Sequence, residues 1–371
     1  MTDLRWDLAD EPRPQGSLFQ ESIFEREPGR GEFRGMEFLH VKAQRIINEV
    51  KGAPFGFRYT INVYRGCTHA CVYCFARPSH TYLDLDAGED FERKIVVKVN
   101  AVSLLRSELA PRRWSGDLIA MGTNTDPYQR AEGKYRLTRG VVETLTEHAN
   151  PFSILTKSTL VLRDTALLAE AAKRSDVRVN FSIGTLDEDV WRTTEPGTPH
   201  PLRRVRAVEQ LNAAGVPCGV LIAPVLPDLS DSPEQLEAVV RACVEAGARS
   251  ISTVLLHLRP GVKEVFLERL AHSHPHLIAA YRRRYRDRAY APRPDQQSLQ
   301  SLVHDLVRRY GGVPADRDDG EHITGRRPSD NDTATSDSAQ AVAPPRRRTR
   351  RVESATAEGN TNPDTTQLTL L

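Results

Sequence analysis

Three cysteines lie close together in one segment rich in aromatic residues, YRGCTHACVYCFA, at residues 64–76. Cys67, Cys71 and Cys74 follow the pattern C-x3-C-x2-C, and Gly66 allows the tight turn that begins the loop. Iron–sulfur clusters are normally held by four cysteine thiolates. Three thiolates in so short a loop can reach three corners of a cubane cluster, which leaves the fourth iron open to an outside ligand.

Two other roles for these cysteines have to be weighed. A structural zinc site requires four ligands, typically from pairs of cysteines and histidines. His69 is the available fourth ligand, but a histidine packed between two ligands of one short loop strains the tetrahedron. Disulfides are disfavoured, because a large chain with five cysteines and no secretory signal indicates a reducing compartment. The pattern favours an iron–sulfur cluster, with zinc as the alternative.

An aromatic residue, Tyr73, stands directly before the last cysteine, where it could flank a ligand of the open iron. The segment resembles the radical S-adenosylmethionine (SAM) superfamily, whose cluster loop reads C-x3-C-x-aromatic-C. The resemblance implies that Cys67, Cys71 and Cys74 ligate a [4Fe–4S] cluster. It also implies that SAM binds the fourth iron through its amino and carboxylate groups.

Composition and the first residues limit the class of protein. A hydrophobic content of 39% and a charged content of 27% are typical of a soluble globular protein with some disordered sequence. The net charge of +2 argues neither for nor against a nucleic-acid partner. The N-terminus lacks the basic and apolar regions of a signal peptide. No apolar run approaches the about 18 residues that a membrane span needs. We therefore expect a cytoplasmic protein without a membrane segment.

The elements that must position the cysteines alternate along the chain. Strands are predicted at residues 59–64, 94–99, 117–122, 152–156, 177–183, 218–223 and 250–256. Helices are predicted at 36–50, 101–109, 138–149, 165–174, 201–214, 233–246, 262–288 and 298–310. Continuous apolar strands separated by helices indicate parallel β/α units that are buried on both faces. Counting the strand before the cysteine loop, we expect an α/β fold, a partial (β/α)6 barrel of the TIM type.

Polar and charged sequence flanks this barrel at both ends. Residues 1–35 are rich in charge, proline and glycine, and residues 315–371 have lost most apolar residues, so both tails are predicted to be disordered. The barrel with a helical C-terminal extension is expected at residues 36–314.

Polar side chains stand at the carboxyl ends of the predicted strands, where β/α barrels carry their reactive groups. The segment GTNTDPY follows the second barrel strand, Lys157 follows the third, Ser182 lies at the end of the fourth, and His257 follows the sixth. Apolar strands that each end in polar groups predict a functional mouth.

Five motifs, GTNTDPYQ, ILTKS, FSIG, EPGT and LIAPVLP, occur in the order seen in spore photoproduct lyase-like radical SAM proteins. The similarity spans roughly residues 40–310 and is greatest to the branch found outside spore formers. The resemblance implies that Lys157 pairs with the SAM carboxylate, that Ser182 hydrogen-bonds the methionine or ribose part, and that Tyr73 lies by the adenine. Candidates for polar contacts to SAM or substrate are Thr123, Asn124 and Asp126.

The resemblance also implies an enzymatic mechanism. A one-electron reductant of the flavodoxin or ferredoxin type reduces the cluster, and SAM is cleaved to methionine and a 5′-deoxyadenosyl radical that abstracts hydrogen from the substrate. A damaged or modified nucleic-acid base is the leading substrate hypothesis. One alternative is radical modification of a small molecule or peptide. Another is a non-catalytic DNA-associated module that carries a cluster or zinc and is recruited by its tails.

One feature departs from the spore photoproduct lyases, which return hydrogen through a cysteine located between the cluster loop and the mid-barrel strands. This chain has no cysteine between Cys74 and Cys218, which argues against the same route of hydrogen return. Tyr128 is a candidate substitute. Cys218 and Cys243 are expected to be small core residues.

The tails suggest partners. The last residues, QLTLL, resemble the peptide Q-L-x-L-F/L by which bacterial DNA-metabolism proteins bind the sliding clamp, and QGSLF at residues 15–19 is a looser copy. This predicts a clamp ligand formed by Gln367, Leu368, Leu370 and Leu371. Arginine-rich runs at residues 282–286 and 346–351 are candidates for attraction to nucleic-acid phosphates.

Overall fold

A computed structural model describes residues 23–50, 57–110 and 114–315 of the 371-residue chain. The strands are β1 Ile23–Pro28, β2 Glu37–Val41, β3 Ile47–Glu49, β4 Tyr59–Ile61, β5 Tyr64–Arg65, β6 Lys94–Lys98, β7 Ile119–Met121, β8 Phe152–Thr156, β9 Val177–Ser182, β10 Cys218–Val225 and β11 Ile251–Leu255. The α-helices are α1 Glu89–Arg93, α2 Ala101–Leu109, α3 Ala131–Tyr135, α4 Leu137–Glu147, α5 Thr165–Arg174, α6 Glu188–Thr194, α7 Pro201–Ala213, α8 Pro233–Glu245, α9 Val262–Ser273, α10 Ile278–Arg284 and α11 Arg293–Arg309.

The larger sheet has the strand order β11-β10-β9-β8-β7-β4-β3. Six neighbouring strands of this sheet pair in parallel: β4, β7, β8, β9, β10 and β11. Their number confirms the six predicted β/α units. The short strand β3 pairs antiparallel with β4 at one edge. Within the described residues the sheet remains open, with β3 and β11 at its edges. Parallel strands place all their carboxyl ends on one side, so the six strands share one mouth.

Several helices that cover this sheet lie within one or two residues of their predicted bounds, but the helix predicted over residues 262–288 is divided into α9 and α10, and α11 begins at Arg293, before the predicted residue 298. The Ser232 side chain accepts a hydrogen bond from Gln235 N (3.2 Å) and so caps α8, which confirms the predicted start of that helix. Proline stands in the first turn of both α7 and α8, where the missing N–H costs nothing. The predicted core cysteines, Cys218 on β10 and Cys243 on α8, are fully buried among apolar residues.

A second sheet has the order β1-β2-β6-β5. Here the prediction of a helix over residues 36–50 is wrong, because β2 and β3 occupy that stretch. In β2, Phe38 packs in the main core whereas its neighbour Leu39 packs in a separate cluster with Leu83 and Val96. Successive side chains of β2 therefore face opposite sides, as they do in a strand. Backbone pairing with β6 stabilises the strand in place of the predicted helix.

The N-terminal boundary also differs from the prediction. Residues 23–28 were assigned to the disordered tail, but they form β1, which pairs antiparallel with β2. Most side chains of β1 are exposed, so backbone pairing rather than apolar burial holds this edge strand. The hydropathy of the sequence therefore gives little indication of the strand. The rest of both tails, including residues 15–19, 346–351 and 367–371, lies outside the described residues. None of the helices in the described ranges is long and apolar enough to cross a bilayer.

Candidate metal centre and cofactor site

The cysteine loop begins where the chain passes from one sheet to the other. β4 belongs to the larger sheet, and β5, three residues later, belongs to the smaller one. Gly66 then adopts a φ of +82°, and a Cβ at this position would lie 3.0 Å from the carbonyl oxygens of both Phe91 and Lys94. The turn that the sequence analysis assigned to Gly66 therefore requires glycine. Cys67 N donates to Phe91 O (2.9 Å) directly after it.

Two polar side chains hold the backbone of the loop. Gln129 accepts from Thr68 N (3.0 Å) and donates to Gly66 O (2.9 Å). The fully buried Arg77 donates from Nε to Cys71 O (3.0 Å) and from Nη2 to Glu92 Oε1 (2.5 Å). Hydrogen bonds from protein side chains thus hold the backbone that carries the three cysteines.

The segment EPGT packs directly on the cysteine loop. Gly197 N donates to His69 O (3.0 Å), and Val72 N donates to Thr194 O (3.0 Å). A Cβ on Gly197 would lie 2.2 Å from Thr68 O, well inside contact distance. The close approach of the two backbones explains why this motif carries glycine.

The three thiols suit an iron–sulfur cluster. All are free, Cys67 and Cys71 are buried, and Cys67 and Cys74 share one small apolar cluster. Burial raises the pKa of Cys67 and Cys74, and raises the pKa of Cys71 to about 12, so loading with iron must replace protons. Within the described ranges, no three His, Cys, Asp or Glu side chains converge into a site for a single metal ion.

His69, the alternative fourth ligand, is engaged elsewhere. Its Nδ1 lies 3.3 Å from Asp126 Oδ2. Asp126 also accepts from Thr156 Oγ1 (2.7 Å) and from Lys157 N (2.7 Å). Burial opposes ionisation of Asp126, but the charge of His69 and these hydrogen bonds outweigh it and lower its pKa. Asp126, predicted as a SAM or substrate contact, therefore ties the loop after β7 to the end of β8.

Lys157 lies at the mouth, as the sequence predicts. Its ammonium donates to Ser182 Oγ (2.6 Å) and Ala223 O (3.3 Å) and lies 3.1 Å from Glu195 Oε1. The ammonium is 5.6 Å from the ring centroid of Tyr73. Three of the predicted cofactor residues, Tyr73, Lys157 and Ser182, are therefore brought together beside the cysteine loop.

Glu195 organises this group, and the sequence analysis did not single it out. Its buried carboxylate accepts from Tyr73 OH and from the guanidinium of Arg204. Burial alone would raise the pKa of Glu195, but the charges of Arg204 and Lys157 outweigh it and hold that pKa far below its usual range. Arg204, which lies in a run of arginines typical of a solvated helix face, is fully buried and also donates to Ser182 O (3.0 Å).

The remaining predicted contacts differ in their availability. Thr123 and Asn124 follow β7, and their side chains make no hydrogen bond to another described residue, so they remain free for a ligand. Tyr128 is fully buried, and its hydroxyl donates to Asp164 Oδ2 (3.1 Å). The hydroxyl of Tyr128 is thus engaged in the core, and this location does not favour the hypothesis that it returns hydrogen to a substrate.

Comparison with known proteins agrees with this arrangement. Residues 61–243 match the radical SAM superfamily. An uncharacterised protein of Mycobacterium tuberculosis is 44% identical over 280 residues, which cover 75% of this chain and 82% of the relative. An uncharacterised protein of Methanocaldococcus jannaschii is 32% identical over 196 residues, which cover 53% of this chain and 70% of the relative. The chain belongs to the radical SAM superfamily.

The fold of this radical SAM enzyme is similar to that of spore photoproduct lyase. A variant of that lyase with dinucleoside spore photoproduct aligns with a TM-score of 0.58 at 16% identity, covering 81% of this chain and 94% of the lyase. Another variant, with bound AdoMet and the same dinucleoside, aligns with a TM-score of 0.57 at 16% identity and the same coverage. The superfamily implies a [4Fe–4S] cluster and SAM, and the three free thiols and the Lys157 group fit them.

Proposed function

We propose that this radical SAM enzyme holds a [4Fe–4S] cluster on Cys67, Cys71 and Cys74 and acts on a damaged or modified nucleic-acid base. The observation that carries the proposal is the set of three free thiols beside Lys157 and Ser182 at one mouth. With both groups bound, the cluster and SAM supply reductive cleavage of SAM to methionine and a 5′-deoxyadenosyl radical, which abstracts a hydrogen atom.

The protein's own side chains position SAM. Lys157 would pair with the SAM carboxylate, and Ser182 would accept or donate a hydrogen bond beside it. The carboxylate of Glu195 contacts the ammonium of Lys157, and the guanidinium of Arg204 contacts the same carboxylate. These contacts orient the ammonium before SAM binds. An ammonium that is already oriented loses less side-chain entropy when its ligand binds.

The other predicted contacts have distinct roles. The ring of Tyr73 would line the adenine side, because its hydroxyl is occupied by Glu195. Thr123 and Asn124 are the free polar groups for SAM or substrate. The electron would come from a flavodoxin- or ferredoxin-type reductant.

Support for a nucleic-acid substrate comes from the fold. Solved lyases of the same fold hold a dinucleoside photoproduct, and the candidate cofactor site here lies at the carboxyl ends of the parallel strands. No cysteine stands between Cys74 and Cys218, so any return of hydrogen uses another donor than the cysteine of those lyases. Radical modification of a small molecule or peptide is the competing substrate class.

Anaerobic reconstitution tests the radical chemistry. Wild type should bind about four irons per chain, and with dithionite and SAM it should form 5′-deoxyadenosine. Cys71→Ala should lose both. The matched control is Cys243→Ala, which removes a buried thiol far along the chain on α8 and should keep both. Tightly bound zinc, or a cluster that never cleaves SAM, would favour a non-catalytic module.

The substrate class needs a separate assay. Reconstituted wild type is incubated with SAM, reductant and ultraviolet-irradiated DNA, and the digested nucleosides are analysed by mass spectrometry. A change in a damaged nucleoside that depends on SAM supports the proposal. Formation of 5′-deoxyadenosine without any change in the DNA would move the search to peptides and small molecules.

A further inference from the structure

Positive charge is concentrated in one short segment after α9. Residues 282–293 contain six arginines and one aspartate, whereas the whole chain has a net charge of only +2. The segment includes the end of α10, the connection to α11 and the first residue of α11. Most of its arginine side chains are exposed.

Four of these arginines line a surface cavity of about 780 Å³, which we call the arginine groove: Arg283, Arg284, Arg286 and Arg288. Three aspartates also line it: Asp228, Asp287 and Asp295. Two of the aspartates lie near groove arginines, at 3.5 Å from Arg286 and 3.9 Å from Arg284. Arg283 and Arg288 are exposed and have no ion pair with another described residue. They leave unneutralised positive charge in the groove.

Two tyrosines fix this segment to the mouth of the larger sheet. Tyr281 OH donates to Pro227 O (2.6 Å), and Tyr285 OH donates to Leu256 O (2.7 Å). Leu256 directly follows β11, Pro227 is the second residue after β10, and both tyrosines are buried. The groove therefore lies at the same end of the sheet as Lys157 and the cysteine loop.

A row of rings leads from Tyr290, two residues after Arg288, to the cysteine loop. Tyr290 stacks on His257 with ring centroids 5.3 Å apart, and its hydroxyl accepts from Arg259 (2.9 Å). His257 in turn lies 6.1 Å from the ring of Phe75, the residue after Cys74. Aromatic side chains beside a basic groove are the combination by which proteins bind nucleic-acid strands.

We propose that the arginine groove binds the phosphodiester backbone of a nucleic-acid strand and directs it past Tyr290 and His257 to the cysteine loop. Guanidinium groups bind phosphate oxygens in pairs and stay charged at all relevant pH values. A neutral peptide or a neutral small molecule would gain nothing from the two unpaired arginines, Arg283 and Arg288. The inference rests on the proposed function, since it assigns the surface that would hold that substrate.

The test measures binding of a fluorescein-labelled single-stranded 20-mer DNA by anisotropy, across a range of salt concentrations. The protein is the full chain with its cluster reconstituted, without SAM or reductant. The variant Arg283→Gln/Arg288→Gln is compared with wild type and with the control Arg174→Gln/Arg241→Gln. The control removes the same charge from exposed positions on α5 and α8. The arginines of residues 346–351 are present in every protein compared.

Each phosphate contact contributes about 0.7 to the slope of log K against log salt for a single strand. Loss of two contacts should therefore reduce the magnitude of that slope by about 1.4. If wild type and variant bind equally at 1 M salt, the variant should bind roughly 25-fold more weakly than wild type at 0.1 M salt. The control should bind as wild type. An unchanged slope in the groove variant, an equal loss in the control, or no binding by wild type would each overturn the inference.

These outcomes are separate from the radical chemistry. Binding is measured without SAM cleavage, so an inactive radical site would leave the result for the groove intact. Formation of 5′-deoxyadenosine by a wild type that binds no DNA would refute the groove and leave the radical SAM assignment standing.

Discussion

Replacing Arg204 with methionine would remove the guanidinium that faces the buried carboxylate of Glu195. Taking one partner from a buried ion pair costs about 3–5 kcal/mol, because the other charge remains buried without compensation. Lys157, 3.1 Å from the same carboxylate, stays in place and limits the loss. The backbone oxygens Pro199 O and Ser182 O also lose their donor. We therefore expect Arg204→Met to lower the free energy of unfolding by about 3 kcal/mol or more.

The assay is urea unfolding of the purified protein at pH 7.5, followed by circular dichroism. The matched control is Arg203→Met, which makes the same exchange at the neighbouring, exposed position of α7 and should change stability by less than about 0.5 kcal/mol. A double variant, Arg204→Met with Glu195→Gln, should recover part of the loss because the buried carboxylate that Arg204 faced is then uncharged. Equal, small losses for Arg204→Met and Arg203→Met would refute the reasoning.

The same pair predicts a dependence on pH. The pKa of Glu195 is depressed in the folded protein, so its contribution to stability is present above the ordinary carboxyl pKa of about 4.3 and is lost as the pH falls through the folded value. The difference between wild type and Arg204→Met should therefore be largest at neutral pH and shrink in acid. A difference that stays constant from pH 7.5 to the lowest pH at which the protein remains folded would contradict this assignment.

Three further predictions concern the loop, the mouth and the tail. Gly197→Ala should reduce the iron bound per chain, because its Cβ would press on Thr68 O, whereas Gly133→Ala, where a Cβ meets nothing within 4 Å, should bind iron as wild type. Burial and the charge of Arg259 lower the pKa of His257 to about 4, so between about pH 6.5 and 4 the unfolded chain takes up a proton that the folded protein refuses. Over this pH range the free energy of unfolding of wild type should fall by up to about 3 kcal/mol more than that of His257→Phe. Equal decreases for the two proteins in urea unfolding would contradict this prediction. Deletion of residues 367–371 should abolish binding to a bacterial sliding clamp in surface plasmon resonance, and undiminished binding would exclude this peptide as the ligand.

The parts that could be predicted from the sequence are those whose signal is local. Most of the six parallel strands are short, largely apolar runs followed by a helix, and burial makes such runs recognisable. The cysteines are readable because their spacing within one loop is itself the constraint. Lys157 and Ser182 could be placed at the mouth because strand ends in this kind of fold meet at one side.

The missed features depend on partners distant in the sequence. Arg204 lies between Arg203 and Arg206 in a segment with the composition of a solvated helix face. Its guanidinium is buried because the carboxylate of Glu195, nine residues earlier, compensates its charge. The EPGT motif contains Glu195 but gives no indication of its role. Residues 36–50 read equally well as an amphipathic helix, and the pairing of β2 with β6, more than fifty residues later, decides for a strand.

Protein groups hold the backbone of the cysteine loop in place. Gln129 and Arg77 hold its backbone from two sides, and Gly197 lets the EPGT segment close over it. The thiols, by contrast, are raised in pKa by burial and gain their thiolate form only when iron replaces their protons. Shape and charge are therefore supplied separately, the first by folding and the second by metal loading. Because thiol protons must leave when iron binds, the iron bound per chain after reconstitution should increase with pH.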